Sequence, residues 1–302
     1  AIFKMQKDLF LLVLFLYLIP FYTYSITTNK WEITLLGSKL ITYEDNNFGG
    51  ISGITLSENG KNFTLISDKS HYFQGKIVRD NLNKIIDFKI LDQGQLFSSK
   101  KENLTGRNID SESIVRSKSN GFYISFESNN RVMYHEDLNG PGKFLPKHPD
   151  FDKLLFNDGI EALAIKENGE LFAIPELPPK GKERHPIYRL HNNKWSIIDE
   201  IKINKDFKVV DAEMIDDGNL ITLERKFSFY DGFQIRLRRI IIEENNIINS
   251  EILLESLPWE YYNFEGLSKW KDNYGQIYLT LISDNQFSPL LETEVREFIL
   301  KK

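Results

Sequence analysis

The stretch NDGIEALAIKENGELFAIPE, residues 157–176, decides the fold. Two short apolar runs flank Asn168-Gly169, a dipeptide that suits the left-handed backbone of a tight hairpin turn. One acid, Glu161, lies near the start of the first run, and another, Glu176, closes the second. Four further stretches repeat the design: GISGITLSENGKNFTLISD (50–68), IDSESIVRSKSNGFYISFE (109–127), VVDAEMIDDGNLITLE (209–224) and NFEGLSKWKDNYGQIYLTLISD (263–284).

Aligned on their acids, the copies place Ser52, Glu112, Glu161, Glu213 and Glu265 in corresponding positions, spaced by 60, 49, 52 and 52 residues. Strand signals punctuated by Gly, Asn and Asp at that period describe an all-β protein, a β-propeller. The anchors count five blades, and the 60-residue interval leaves room for a sixth. Only about 35 residues follow Glu265, short of a full blade, so Trp31–Tyr43 is expected to supply the missing strand. The ring then closes through N- and C-terminal strands, and 31–302 forms a single domain. Leu290–Glu297 reads as a short helix, with Thr293–Leu300 reading equally as the closing strand.

Two-residue turns fix which side chains face each other. Centred on Asn168-Gly169, Asp217-Gly218 and Tyr274-Gly275, they set Glu161 opposite Glu176, Asp211 opposite Glu224 and Glu265 opposite Asp284. A turn at Ser119-Asn120 sets Glu112 opposite Glu127, and Asn59-Gly60 sets Ile51 opposite Asp68.

The chain has 302 residues, 41% hydrophobic, with a net charge of −5 and no cysteine. A disulfide framework, a thiolate metal site and a cysteine nucleophile are therefore excluded. No basic stripe suggests nucleic acid, and no obligate protein partner is implied. His71, His135, His148, His185 and His191 lack metal-ligand spacing. Lys4 and Lys7 precede an apolar run from Leu9 to Tyr22 and small residues at Thr23 and Ser25. Residues 1–25 thus read as a signal peptide, or as an uncleaved membrane anchor, and the folded part as periplasmic or secreted.

Facing carboxylates repel, and gathering several pairs at one end of a channel raises the cost. Protons, arginines or a hard cation could neutralise them, or the acids could each bond amides and guanidiniums that lock blades together. Oxygen-only ligands suit calcium or magnesium. The candidate metal set is Asp68, Glu112, Glu127, Glu161, Glu176, Asp211, Glu213, Glu224, Glu265 and Asp284, with calcium the favoured divalent cation.

The ordered wording FGGISGITLSENGKNFTLISDKSHYFQGKI, DSES, FNDGIEALA, DAEMIDDGNLITLERKFS and NFEGL resembles the bacterial phytase-like family, named for an esterase-like activity of phytase. The resemblance covers Phe48 to Leu300 and implies an exported propeller that hydrolyses phosphate esters. The family's first motif usually runs aspartate-arginine-glycine, whereas this chain has Asp68-Lys69-Ser70. Lysine keeps the charge but not the planar fork. Glu112, Glu161, Glu213 and Glu265 are the expected catalytic residues around the metal. Lys69, Arg131, Arg225 and Lys226 are the expected substrate-binding cations. A carboxyl-ester or lactone hydrolase on the same propeller, and a non-enzymatic binding module with a structural ion, are the alternatives.

Overall fold

The computed structural model describes residues 30–155, 157–203 and 206–302. The signal segment read at 1–25 lies outside them. Among the described residues the strands form five four-stranded antiparallel sheets. The first blade holds β2 (Ile51–Leu56), β3 (Asn62–Ser67), β4 (His71–Arg79) and β5 (Ile85–Gln95). The second holds β6 (Ser111–Arg116), β7 (Phe122–Phe126), β8 (Arg131–His135) and β9 (Lys143–Phe144). The third holds β10 (Ile160–Ile165), β11 (Leu171–Pro175), β12 (His185–His191) and β13 (Lys194–Ile201). The fourth is β14 (Lys208–Asp216), β15 (Asn219–Ser228), β16 (Gly232–Glu243) and β17 (Asn246–Glu255). The fifth combines β18 (Phe264–Lys271), β19 (Ile277–Ser283) and β20 (Glu294–Lys301) with β1 (Glu32–Leu40) from the start of the fold.

The ring therefore has five blades, and β1 closes it by pairing with β20 from Glu32↔Lys301 to Leu40↔Glu294. The strand reading of the C-terminus holds, and the helix reading of Leu290–Glu297 does not. The innermost strands β2, β6, β10, β14 and β18 pack against one another around the central channel.

Each sheet is covered on both faces by its neighbours, which is why β2 and β19 are buried at every residue. One apolar cluster fills each blade interface. Between the fourth and fifth blades, for example, Leu223 and Leu237 meet Leu267, Leu279 and Phe298. A fully buried aliphatic or aromatic side chain of this kind stabilises by roughly 1.5–3 kcal/mol. Exposure returns in the outermost strands, so β17 reads as a mixture of exposed and half-buried residues.

The pairing register differs from the one read by counting. In the third hairpin Gly169 N donates to Lys166 O (2.9 Å) and Lys166 N to Glu170 O (2.9 Å), making a three-residue turn. Gly169 takes φ +91°, the left-handed conformation that such a turn requires. Farther along, every hairpin carries a β-bulge, between Ile51 and Gly53, Ser111 and Ile114, Ile160 and Ala162, Val209 and Asp211, and Phe264 and Gly266. Glu161 and Glu265 are therefore bulged residues without a cross-strand partner, and Glu112 lies within the second bulge. The facing pairs Glu161–Glu176, Glu265–Asp284 and Glu112–Glu127 do not form. Asp211 faces Leu223, Val209 faces Glu224, and Ile51 faces Ser67.

Candidate active site at the channel mouth

The bulges organise the site. An extra residue re-aims its side chain out of the sheet, and here the bulged acids Glu112, Glu161 and Glu265 come together at one mouth of the channel, while Ser52 Oγ donates to Ser111 O (2.6 Å) and Val210 packs in the interface of the fourth and fifth blades. The fourth equivalent is Val210, so the alignment that chose Glu213 is off by three residues.

One register step outward, a second tier repeats. Asp68 N donates to Gly50 O, Glu127 N to Asp110 O, Glu176 N to Gly159 O and Asp284 N to Asn263 O, at 2.8–2.9 Å. The fourth blade's equivalent pair is Lys208↔Arg225. Four blades thus present an acid at this position, and one presents a guanidinium. Gly50 holds φ +59°, and a Cβ there would lie 2.2 Å from Asp68 Oδ1, so only glycine admits that carboxylate.

Three of the acids cluster at the end of the second blade. One ligand oxygen each from Asp110, Glu112 and Glu127 lie within 4.8 Å of one another. Ser128 Oγ donates to Asp110 Oδ2 (2.9 Å) and Gly159 N to Glu127 Oε2 (3.2 Å), which fixes two of the three. Asp68 Oδ1 is buried with no hydrogen-bond partner.

Across the mouth stand the cations. Arg225 ion-pairs with Glu265, donates to Asn263 Oδ1 (2.7 Å) and lies 3.5 Å from Glu176. Lys208 Nζ donates to Asp158 Oδ1 (2.7 Å) and Glu176 Oε2 (2.8 Å).

Burial and mutual repulsion push Glu112, Glu161, Glu127, Glu176, Asp68 and Asp284 toward their protonated forms. Burial, then Glu127, Asp110, Glu265 and Asp68, push Glu112 well above the ordinary carboxylate range. Burial, then Glu112, Glu176 and Glu127, do the same to Glu161. Glu127 is raised to about 7 by burial and then Asp110, against the Gly159 amide. Glu176 is raised to about 7, mainly by burial, with Lys208 and Arg225 opposing. Burial raises Asp68 to about 6, against Lys69. Asp284 is raised to about 8 by burial and Glu265. Arg225 moves upward, because Glu265, Glu176 and Glu161 outweigh the burial that would lower it.

Other residues read from the sequence lie elsewhere. Glu224 is fully buried between Arg236 (3.2 Å) and Arg238, a private guanidinium pair rather than a ring member. Asp211 is buried within the channel, accepting from Ala212 N (2.9 Å), Ser113 Oγ (2.8 Å) and Leu267 N (2.7 Å). Ser113 Oγ also accepts from Leu163 N (3.1 Å), so this carboxylate ties the second, third, fourth and fifth blades together. Glu213 accepts from Lys269 N (3.1 Å) and lines a cavity of about 690 Å³ at the opposite end of the inner strands.

Among the cations, Arg131 spends its guanidinium on Asn108 O (2.6 Å) and Asn129 O (3.0 Å) and lies over Phe126. Burial lowers its pKa to about 10. Lys226 lies over Phe207 (5.1 Å), on the strand face opposite Arg225. Lys69 stands 3.3 Å over the Phe287 ring, beside Asp68.

The sequence reading did not assign Asp110 or Asp158 as ligands, and it left Lys208 and Asn263 out. Their signal is positional: each of Asp110, Lys208 and Asn263 is two residues before a bulge, where Gly50 and Gly159 stand in other blades.

A family profile, Phytase-like, described as esterase-like activity of phytase, matches residues 46–287. The chain belongs to this family. A search of curated proteins returns no match. Solved structures share the architecture at low identity. The PQQ-bound aldose sugar dehydrogenase of Streptomyces coelicolor matches with TM-score 0.50 and 11% identity, over 90% of this chain and 99% of that one. Virginiamycin B lyase of Staphylococcus aureus matches with TM-score 0.40 and 11% identity, over 89% and 99%. A glucose dehydrogenase-like oxidoreductase of Thermus thermophilus matches with TM-score 0.43 and 9% identity, over 87% and 100%. The likeness to the aldose sugar dehydrogenase is one of fold, and a fold hosts many chemistries.

Proposed function

We propose that this phytase-like protein is a divalent-cation-dependent phosphoesterase working at the carboxylate mouth. The observation that carries the reading is the juxtaposition of three clustered carboxylates, Asp110, Glu112 and Glu127, with a Lys208–Arg225 wall across the same opening. The donor set fits a hard cation: it is all oxygen, it comes from the ends of two neighbouring strands, and burial pushes Glu112 and Glu127 toward protonated forms whose protons an ion would displace. Asp110, Glu112 and Glu127 would hold the ion. Several carboxylates on irregular backbone suit calcium's variable coordination better than magnesium's strict octahedron. A bound divalent ion supplies Lewis-acid stabilisation of phosphoryl charge and lowers the pKa of a water.

The protein's own groups do the rest. Arg225 presents a planar fork and Lys208 a point charge to the anionic oxygens of a small-molecule ester, orienting it against the acids. Glu161, its pKa pushed up by burial and then by Glu112, is the candidate donor of a proton to the leaving oxygen. The apolar run at Leu9–Tyr22 supports export to the periplasm or medium. Among the described residues no helix is long and apolar enough to cross a membrane.

The test is phosphate release from a panel of phosphate monoesters, run beside carboxyl esters and lactones. Activity should vanish on chelation, return with calcium, and fall at least about 100-fold in Glu112→Gln/Glu127→Gln. Full-rate release after chelation would overturn the proposal, and turnover confined to carboxyl esters or lactones would reassign the bond cleaved.

A further inference from the structure

Strand β15 does not stop at the mouth. It runs past Arg225 through Lys226 and Phe227 to Ser228, which pairs with Gly232 of β16. Three residues of strand carry the hairpin about 10 Å beyond the Lys208–Arg225 pair. Its tip displays Phe229 and Tyr230, 84% and 86% exposed, and Trp259 beside them is 69% exposed. Phe227 and Leu257, in the same two segments, are exposed as well. Isolated exposed hydrophobics are ordinary, but a contiguous group marks an interaction site.

This tip is built rather than loose. Trp259 N donates to Asp231 O (3.0 Å) and its indole Nε1 to Tyr230 O (2.9 Å). Ser228 Oγ donates to Asp231 Oδ2 (3.0 Å) and accepts from Asp231 N (2.9 Å). The Phe229 and Tyr230 rings meet edge to face with centroids 5.8 Å apart. Gly232 lies so close under the Trp259 ring that a Cβ there would approach Cε3 to 2.5 Å. Trp259 itself has φ 60°, a left-handed conformation that is an outlier for a bulky residue. Strain of that kind is unfavourable, and the exposed indole gains little burial to offset it. Rigid, exposed aromatics offer contact area at low entropic cost to whatever binds them.

Both segments of the tip lead directly into the candidate site. Residue 225 of the first segment is the guanidinium of the mouth, and Asn263 and Glu265, which bond that guanidinium, follow the second. We propose that the Phe229–Tyr230–Trp259 tip is a subsite for a flat apolar group, such as an aryl ring, on an ester whose anionic head lies against Arg225 and Lys208. The inference rests on the reading of those two cations as the anion-binding wall. It narrows the substrate class to amphipathic esters and away from uniformly polar polyphosphates.

The experiment compares inorganic phosphate, phenyl phosphate and phenol as probes on the full chain and on Phe229→Ala/Tyr230→Ala. Affinity is read by calorimetry and tip occupancy by acrylamide quenching. Trp31, Trp195 and Trp270 are buried, so quenching reports mainly on Trp259. Both replaced side chains are solvent-exposed, and the variant should fold normally. The expected result is phenyl phosphate binding about tenfold tighter than phosphate, with Trp259 protected. The double variant should lose both effects while its affinity for inorganic phosphate stays unchanged. Equal affinities in the parent protein, or a preference that survives in the variant, would overturn the proposal. Phenol protecting Trp259 while inorganic phosphate fails to bind would uphold the aromatic subsite and overturn the anion wall instead. Variant-sensitive binding to phosphatidylcholine–phosphatidylglycerol vesicles, without any preference for phenyl phosphate, would assign the tip to a bilayer surface and overturn the proposal.

Discussion

Raising the pH of chelator-treated protein from 5 to 8 should destabilise it, against the usual behaviour of native carboxylates. Asp68, Glu127, Glu176 and Asp284 have their pKa values raised to about 6, 7, 7 and 8. An unfolded chain releases the same protons near pH 4. Between those limits the native state binds more protons than the unfolded state, so stability falls as pH rises. Below the unfolded values both states are protonated, and the stabilisation from the retained protons is fully present. A shift from the 4.5 reference for Glu127 to about 7 corresponds to about 3 kcal/mol. Glu127 repels Glu176 and Asp284 repels Asp68, so ionising one member of a pair makes the next harder, and the worth of a single member is the appropriate scale. About 3 kcal/mol in a chain of this size, with an unfolding entropy of about 2 cal/mol/K per residue, lowers Tm by roughly 5 °C. Scanning calorimetry in chelator at pH 5, 6, 7 and 8 measures it directly. Calcium at about 100 times its Kd should return roughly 2.7 kcal/mol at pH 8 and much less at pH 5, where protons compete. A Tm in chelator that stays level or climbs from pH 5 to 8 would refute the reasoning.

Two substitutions separate the ring from its surroundings. Arg225→Gln removes the guanidinium shared by Glu265, Asn263 and Glu176. Inorganic phosphate affinity, read by calorimetry, should fall about tenfold or more, as expected for loss of charge-assisted hydrogen bonds. Calcium affinity should hold or tighten because a competing cation is gone, and an unchanged phosphate affinity would remove Arg225 from the anion site. Glu224→Ala strands Arg238 and half of Arg236 in a buried position. It should cost roughly 3–5 kcal/mol of stability while leaving calcium affinity intact. The opposite pattern, normal melting with lost calcium binding, would return Glu224 to the metal set.

The fold was legible because a repeat states its architecture several times. The shortfall after Glu265 even located the closing strand, since a blade missing one strand must borrow it from the other end of the chain. Register was not legible. Counting from a turn assumes an uninterrupted ladder, and each hairpin places a residue in a bulge near the mouth, the fourth a second one near its turn, that no composition signal marks. That single residue decides whether an acid faces its partner across the ladder or turns into the channel.

The fourth blade misled for a related reason. Its acids Asp211, Glu213 and Glu224 imitate the motif, but the bulge falls at Val210 and moves all three off the ring. The position they seemed to fill belongs to Arg225, which the sequence reading named as a cation, and to Lys208, which it did not. Glu112, Glu127, Glu161, Glu176, Glu265, Asp68 and Asp284 do meet at one mouth, because those repeats share both the acid and the bulge.

Calcium titrated into chelator-stripped protein at pH 7, by calorimetry in two buffers of different ionisation enthalpy, tests the central claim most directly. The account predicts saturable binding with net release of about one proton or more per ion, both lost in Glu112→Gln/Glu127→Gln. Absence of saturable binding, or binding that releases no protons and survives the double substitution, would contradict it.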